Sequence, residues 1–450
     1  LRKKFYEDSV SNYSIIGLGK LGSSIAAAIA SKGHSVIGVD VNQRAVELLN
    51  SGMSPVDETD VQRIIEAHKT SVAATSDFRF AIASSDVSFV IVPTPSMEDG
   101  SFSLGYVKSA FTEIGRALKD KDDYHLVVLV STVLPGSMAQ QLVPLLGEES
   151  GKTAGEEFGV CYSPAFVALG SVVRDFMNPD LALIGELDAR SGDVLERCYE
   201  EIFEKPKNVK RMSFENAEIT KMAVNTFVTT KIAFANSLAQ LCMSVPGGNV
   251  DHVTEALGCD SRIGPKCLKS AMGYGGPCFP RDNKALRAFA TSTGNSLQLA
   301  EATDHSNTDF LDQTVQFINE LGAEQNIAVL GLAYKPNTSV IDASPSIYLA
   351  ERLNLSGHNI FAYDPLAGAN AREVLSDNVV VTSTLAATLR HADVVLVTTT
   401  DPEFEMLDAS SFVARPVTVV DFWRTLANKL IDVEGIHYIP YGRALESYEH

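Results

Sequence analysis

The chain has 450 residues, more than one hydrophobic core holds, so roughly two or three domains are expected. Hydrophobic residues make up 45% and charged residues 21%, and no apolar run approaches the ~18 residues of a membrane span, which argues against membrane-embedded and disordered classes. A formal charge of −19 without a basic cluster argues against nucleic acid as a partner. The charged opening, LRKKFYEDSV, lacks the features of a secretion signal, so a cytoplasmic protein is expected.

Residues 14–40, SIIGLGKLGSSIAAAIASKGHSVIGVD, predict a strand, a glycine turn, an alanine-rich helix and a second strand ending at Asp40. Gly17 allows the tight turn, Gly19 lets a pyrophosphate approach the backbone, and Gly22 lets helix and strand pack closely; Lys20 and Leu21 belong to the same turn. Asp40, placed to accept hydrogen bonds from a ribose diol and to repel a 2′-phosphate, favours NAD over NADP.

Apolar runs at 87–96 (VSFVIVPTPS) and 125–137 (HLVVLVSTVLPGS) continue an α/β pattern, in which strand ends face the ligand crevice. Pro93, Thr94, Ser131 and Thr132 lie at those ends, the threonines either as cofactor neighbours or as caps of the next helix. From Phe214 to Met243 the chain reads as one long helix without Gly or Pro. Lys221 and Asn225 share a face of it, either a solvated face or, given Met222, Ala223, Val224 and Phe227 nearby, one where a lysine acts on protons or an oxyanion.

Six cysteines, at 161, 198, 242, 259, 267 and 278, form no CxxC pair, so no metal site is expected. Cys278 stands apart in GYGGPCFPRD, residues 273–282, with Arg281 and Asp282 close behind; it reads either as a small buried residue or as a nucleophile. With an NAD domain upstream, a thiol that adds to an aldehyde would give a thioester after hydride loss. The last third begins a second βαβ pattern with NIAVLGLAYKPNT, 326–338, NIFAYDP, 359–365, and HADVVLVTTTD, 391–401, without dinucleotide glycines. The expected fold is α/β, two Rossmann-like doubly wound domains joined by a long central helix, with a ligand crevice between the halves.

Taken in order, GLGKLG with Asp40, VPTP, STVLPG, Lys221 with Asn225, RIG at 262–264, GYGGPCFPRD and LGLAYKP at 330–336 resemble the UDP-glucose/GDP-mannose dehydrogenase family over nearly the whole chain. The resemblance implies residues 1–205 as the NAD-binding domain, 206–310 as a helical dimerisation domain carrying the cysteine loop, and 311–450 as the nucleotide-sugar domain. It implies a four-electron oxidation of the C6 hydroxymethyl of a nucleotide sugar to the uronic acid with two NAD. In that reading Cys278 is the nucleophile and Lys221 stabilises oxyanions. Asn225 and Asp282 position water and move protons, and Thr132 lies near the reacting carbon. Phe166, Val167, Tyr274, Gly275 and Lys335 contact the substrate, and Arg262 reaches the sugar nucleotide of a neighbouring subunit in a homodimer built on the long helix.

Three departures stand out. YSPAFVALG places Ala165 where the family has the glutamate of Pro-Glu-Phe, so thioester hydrolysis is expected to be impaired, whether the alanine is natural or engineered to trap an intermediate. SVIDASPS carries Asp342 and Ala343, and VVDFWRTL carries Trp423 and Arg424, at positions expected to bear on base and sugar specificity. AFVALG favours a UDP-hexose, UDP-glucose first, over an N-acetylhexosamine. The competing readings are a single-step NAD dehydrogenase and a sugar-nucleotide binder with impaired activity.

Overall fold

A computed structural model describes residues 12–204, 208–412 and 416–444. The charged opening and the expected boundary at 205/206 lie outside the described residues. The chain divides into two compact units, Leu1–Ala223 and Val224–His450, and the division falls inside the long helix Phe214–Met243.

The first unit is an eight-stranded sheet of β1 (Asn12–Ile16), β2 (Ser35–Val39), β3 (Val72–Thr75), β4 (Val87–Val90), β5 (His125–Leu129), β6 (Phe158–Tyr162), β7 (Ala182–Glu186) and β8 (Val209–Met212). Its order is β3-β2-β1-β4-β5-β6-β7-β8, parallel except for the antiparallel pair β6/β7. β4, β5 and β6 are buried along their whole length, as a parallel sheet covered on both faces requires. Successive residues feed opposite cores: Ile15 and Phe89 join Ile29 on one side, while Ile16 and Val90 join Phe111 on the other. The helix Lys20–Ser31 buries every residue from Gly22 to Ala30, and its small side chains let it lie close to the sheet.

The second unit carries β9 (Asn326–Leu330), β10 (Asn359–Tyr363), β11 (Val380–Val381), β12 (Val394–Val397), β13 (Val417–Asp421) and β14 (Ile436–Pro440). They form one parallel sheet in the order β11-β10-β9-β12-β13-β14. Val329 and Leu396 face one core, Leu330 and Val397 the other. Ahead of this sheet come the remainder of the long helix and the helices Val250–Cys259, Phe279–Ser292 and Gln298–Asn319. The fold is the expected one of two parallel α/β sheets with a long helix between them in sequence. Among the described residues, no helix is long and apolar enough to cross a membrane.

Candidate active site

In the first unit, Gly17 follows β1 with φ +103°, a conformation that a residue with a side chain rarely adopts, and an added Cβ would stand 2.2 Å from the Ile91 carbonyl oxygen. A Cβ on Gly22 would stand 1.9 Å from the Gly17 carbonyl oxygen, so the helix can approach the turn only without a side chain there. Nothing lies within 4 Å of a Cβ on Gly19, the exposed N-cap of the first helix, which opens with half-buried Lys20 and Leu21. A turn closed on its inner side and open at its tip, at the positive end of a helix, fits a pyrophosphate.

Asp40 stands beside this turn. Its Oδ2 accepts the Leu18 N–H at 2.6 Å and its Oδ1 the Asn42 N–H at 2.8 Å. Two of about four carboxylate acceptor sites are thus engaged, and the remainder suit a ribose diol. The ends of β4 and β5 are cross-tied by Ser131, whose hydroxyl accepts the Val92 N–H at 3.0 Å and donates to the Val92 carbonyl at 2.6 Å. Thr94 Oγ1 donates to the Thr132 carbonyl at 2.9 Å. Neither threonine caps the following helix, where Leu104 and Ser137 are the N-caps, and Pro93 is exposed beside them. The residues foreseen for the cofactor therefore gather at the C-terminal edge of β1, β2, β4 and β5, and they fit NAD.

Lys221 is buried, not on a solvated face: its Nζ donates to the Ala165 carbonyl at 2.8 Å and lies 4.7 Å from the centre of the Phe166 ring. The apolar surface beside it comes from Phe166. Phe227 and Ala223 point to solvent, contrary to the expectation that they shelter the lysine. Because Lys221 is held by the backbone of residue 165, alanine at that position leaves this bond intact. Phe166 and Val167 are half-buried, and beside them lies a cavity of about 30 Å³.

One turn before Lys221, Glu218 is fully buried and was not foreseen. It accepts the Gly136 N–H at 2.7 Å and the Met138 N–H at 2.9 Å, fastening the loop that leads from Thr132 to the long helix. Burial pushes its carboxyl up to about 7, against which the two N–H groups pull only partly. Its spacing of three from Lys221 was the available signal.

In the second unit, the cysteine loop is built on close approaches. A Cβ on Gly273 would meet the Asn307 side-chain oxygen at 2.7 Å, on Gly275 the Ala343 carbonyl oxygen at 2.1 Å, and on Gly276, with φ +86°, the Tyr334 ring at 2.5 Å. The Gly276 N–H donates to the Asp342 carbonyl at 2.8 Å. Residues 342 and 343 thus contribute backbone that seats the cysteine loop, a part that reading them as specificity positions did not anticipate. Tyr274 is buried, its hydroxyl donating to Asp304 at 2.5 Å, and burial together with that carboxylate pushes its phenol well up.

Cys278 is exposed at the N-cap of the helix Phe279–Ser292, which settles the choice between a buried residue and an accessible thiol. A helix N-terminus is an electrostatic setting that suits an anion. Cys161 and Cys198 are buried, and burial pushes both thiols up, Cys198 to about 12. In the first turn of the same helix Asp282, almost wholly buried, accepts from Asn225 Nδ2 at 2.6 Å. The structure thus brings Cys278, Asp282 and Asn225 together, while Asn283 and Arg287 brace Asp304 behind them.

Lys335 follows Tyr334, the residue against Gly276, with its Nζ 5.9 Å from that ring. Arg262 is exposed and ion-pairs with Asp260 at 2.5 Å. A cavity of about 940 Å³, large enough for a nucleotide sugar, opens behind the cysteine loop at Tyr274, Pro280, Lys284 and Arg287. Cys278, Asn225 and Lys335 do not line it. Among the described residues no cluster of His, Cys, Asp and Glu could hold a metal ion.

Comparison with known proteins agrees with these two half-sites. The NAD binding domain of the UDP-glucose/GDP-mannose dehydrogenase family matches residues 11–203, its central domain 215–309, and its UDP binding domain 328–428. The UDP-glucose 6-dehydrogenase AglM of Haloferax volcanii is 36% identical over 431 residues, 94% of this chain and 98% of the relative. The GDP-mannose 6-dehydrogenase of Pseudomonas putida is 33% identical over 94% of this chain and 99% of its own. The structure of a UDP-glucose dehydrogenase from Pyrobaculum islandicum superimposes with a TM-score of 0.86 at 31% identity, covering 97% of this chain and 99% of that one. With its glycine turn, Asp40 and cysteine loop in the places those domains occupy, the chain belongs to the UDP-glucose/GDP-mannose dehydrogenase family, NAD-dependent nucleotide-sugar 6-dehydrogenases.

Proposed function

We infer that the protein oxidises the C6 hydroxymethyl of a UDP-hexose, UDP-glucose first among them, to the carboxylate by way of a thioester on Cys278. The observation that carries this is the exposed sulfur at a helix N-terminus with the Asn225–Asp282 pair in the next turn. When bound, NAD accepts one hydride in each of the two oxidations. Lys221, buried and cationic beside Phe166, stabilises the alkoxide as the alcohol loses its proton. Cys278 sulfur then adds to the aldehyde carbon, and the carbonyl oxygen gains a proton to give a thiohemiacetal. Loss of the C6 hydrogen as hydride and of the hydroxyl proton leaves a thioester. Water adds to it, the C–S bond breaks, and the acid leaves with the thiol restored.

Residue 165 decides the pace of the last step. Alanine carries no proton-transfer group, so Asn225 and Asp282 are left to orient and deprotonate the water. Mass spectrometry of the protein mixed with UDP-glucose and NAD tests this directly: a hexuronyl adduct on Cys278 is expected, and rapid turnover to acid without an adduct contradicts it.

Substrate choice rests on the relatives named as UDP-glucose dehydrogenases and on the UDP binding domain match, while GDP-mannose is the substrate named for the Pseudomonas putida relative. Residues 1–205, 206–310 and 311–450 are read as the NAD-binding, dimerisation and nucleotide-sugar parts. Phe227, Phe234 and Leu241, each more than half exposed and seven residues apart on the long helix, support a homodimer, in which Arg262 reaches the partner's substrate.

A further inference from the structure

The order of the second sheet reverses between β9 and β12, and in such sheets the ligand crevice lies outside the C-terminal ends of the strands at that point. Trp423, two residues beyond β13, is laid across this edge. Its Nε1–H donates to the carbonyl of Thr398, the first residue after β12, at 2.8 Å. The backbone beneath it is rigidly mounted, since fully buried Asp421 accepts the N–H groups of Trp423, Arg424 and Leu426 at 3.0, 2.7 and 2.9 Å.

The neighbouring cation is committed elsewhere. The Arg424 side chain is 1% exposed and pairs with Asp251 at 2.9 Å while donating to the carbonyls of Phe422, Tyr441 and Ser270. Trp423 packs in part on the core of this unit and stays half-buried, so part of its surface remains open, and its one N–H is already used. Such a side chain offers a ligand a flat π surface rather than a hydrogen bond. Lys269, next to the Ser270 carbonyl that Arg424 holds, brings its Nζ to 5.9 Å from the indole centre. A planar ring beside a positive charge is the arrangement that receives a nucleobase and its phosphate.

We propose that the indole of Trp423 is the surface on which the nucleobase of the substrate packs, with Lys269 at the adjoining phosphate. This assignment rests on the nucleotide-sugar reading above and names the residue that receives the nucleotide. No base-specific hydrogen bond is required, so the indole contributes affinity for the nucleotide and little preference between bases.

Trp423 is the sole tryptophan of the chain, so emission of the full-length protein excited beyond the tyrosine absorption band reports on this place alone. Titration with UDP is expected to quench the emission, saturating with the binding measured by calorimetry. Trp423→Ala is expected to weaken UDP on the order of tenfold while leaving NAD affinity unchanged. Trp423→Phe, which keeps a packed ring if alanine fails to fold, is expected to hold UDP within about threefold. If UDP binds but the emission stays constant, or if Trp423→Ala binds UDP as tightly as the parent, the proposal is overturned and the nucleotide-sugar reading stands. Quenching by glucose 1-phosphate as strong as by UDP assigns the indole to the sugar and likewise overturns it. If neither UDP nor GDP binds in calorimetry, both fail.

Discussion

Asn307 pairs with the peptide of Tyr274 in both directions, its side-chain oxygen accepting the Tyr274 N–H at 2.9 Å and its Nδ2 donating to the Tyr274 carbonyl at 3.1 Å. One amide thereby replaces the missing strand partner of the loop that ends at Cys278. Asn307→Ala leaves both backbone groups without that partner, at a cost of about 1–3 kcal/mol for each group that stays buried. The expected result is a lower Tm and a kcat reduced on the order of a hundredfold, since small displacements of a reacting atom are that costly. NAD affinity, measured by calorimetry, is expected to stay unchanged.

For Cys278→Ala, acid formation is expected to fall by at least about a thousandfold, because no other residue of that turn offers a thiol. Product analysis by chromatography with NADH counted per sugar reads this out. The parent is expected to yield two NADH per acid, and a variant that still yields acid at the parental rate removes the sulfur from the mechanism.

Lys221→Met keeps the packing against Phe166 and removes the charge. Because thioester hydrolysis limits turnover in the proposed mechanism, single-turnover NADH formation reads this step, and it is expected to be slower by roughly a hundred- to a thousandfold, the usual loss for one electrostatic contact at a developing oxyanion. A change confined to KM would assign Lys221 to binding alone.

Glu218 ties stability to pH. Its carboxyl is pushed from the ordinary 4.5 to about 7, so the fold favours the protonated form. The associated stability is full below about 4.5 and is lost as pH rises through about 7; at about 1.4 kcal/mol per pKa unit it is on the order of 3 kcal/mol. Glu218→Gln cannot titrate. Its Tm is expected to lack this part of the decline between about pH 5 and pH 8, although the glutamine satisfies one of the two N–H groups and lowers Tm throughout. Parallel Tm profiles of parent and variant would contradict the assignment.

Local spacing made some of the site legible and left the rest out of reach. The turn at Gly17, Gly19 and Gly22 and the loop at Gly273, Gly275 and Gly276 could be read because each glycine answers a steric demand, whether of neighbouring residues or of an approaching ligand. Helical repeat put Lys221 and Asn225 on one face, and the resemblance gave them roles. The same repeat could not say what covers them, so Phe227 was misjudged as shelter when Phe166, 55 positions before Lys221 in the sequence, supplies it. Glu218 and Asn307 act on backbone 80 and 33 residues away, contacts that only the folded chain creates. Arg424 was read from the resemblance as a position bearing on specificity, and nothing in its sequence signalled the four bonded groups that offset its burial.

Asp40 has a counterpart in the second unit. Asp364, after β10, takes the N–H groups of Leu332 and Ala333 on Oδ2 and those of Leu366 and Ala367 on Oδ1, as Asp40 takes Leu18 and Asn42. Gly331 matches Gly17 in turn, with φ +102° and its N–H on the last residue of the adjacent strand. The second copy has no dinucleotide glycines, so the acid's first duty is architectural: it clasps the turn that leaves the neighbouring parallel strand whether or not a coenzyme arrives. On the proposal that Asp40 discriminates against a phosphorylated ribose, it does so with a carboxylate already anchored for another reason, and altering coenzyme preference there means loosening the joint that shapes the turn.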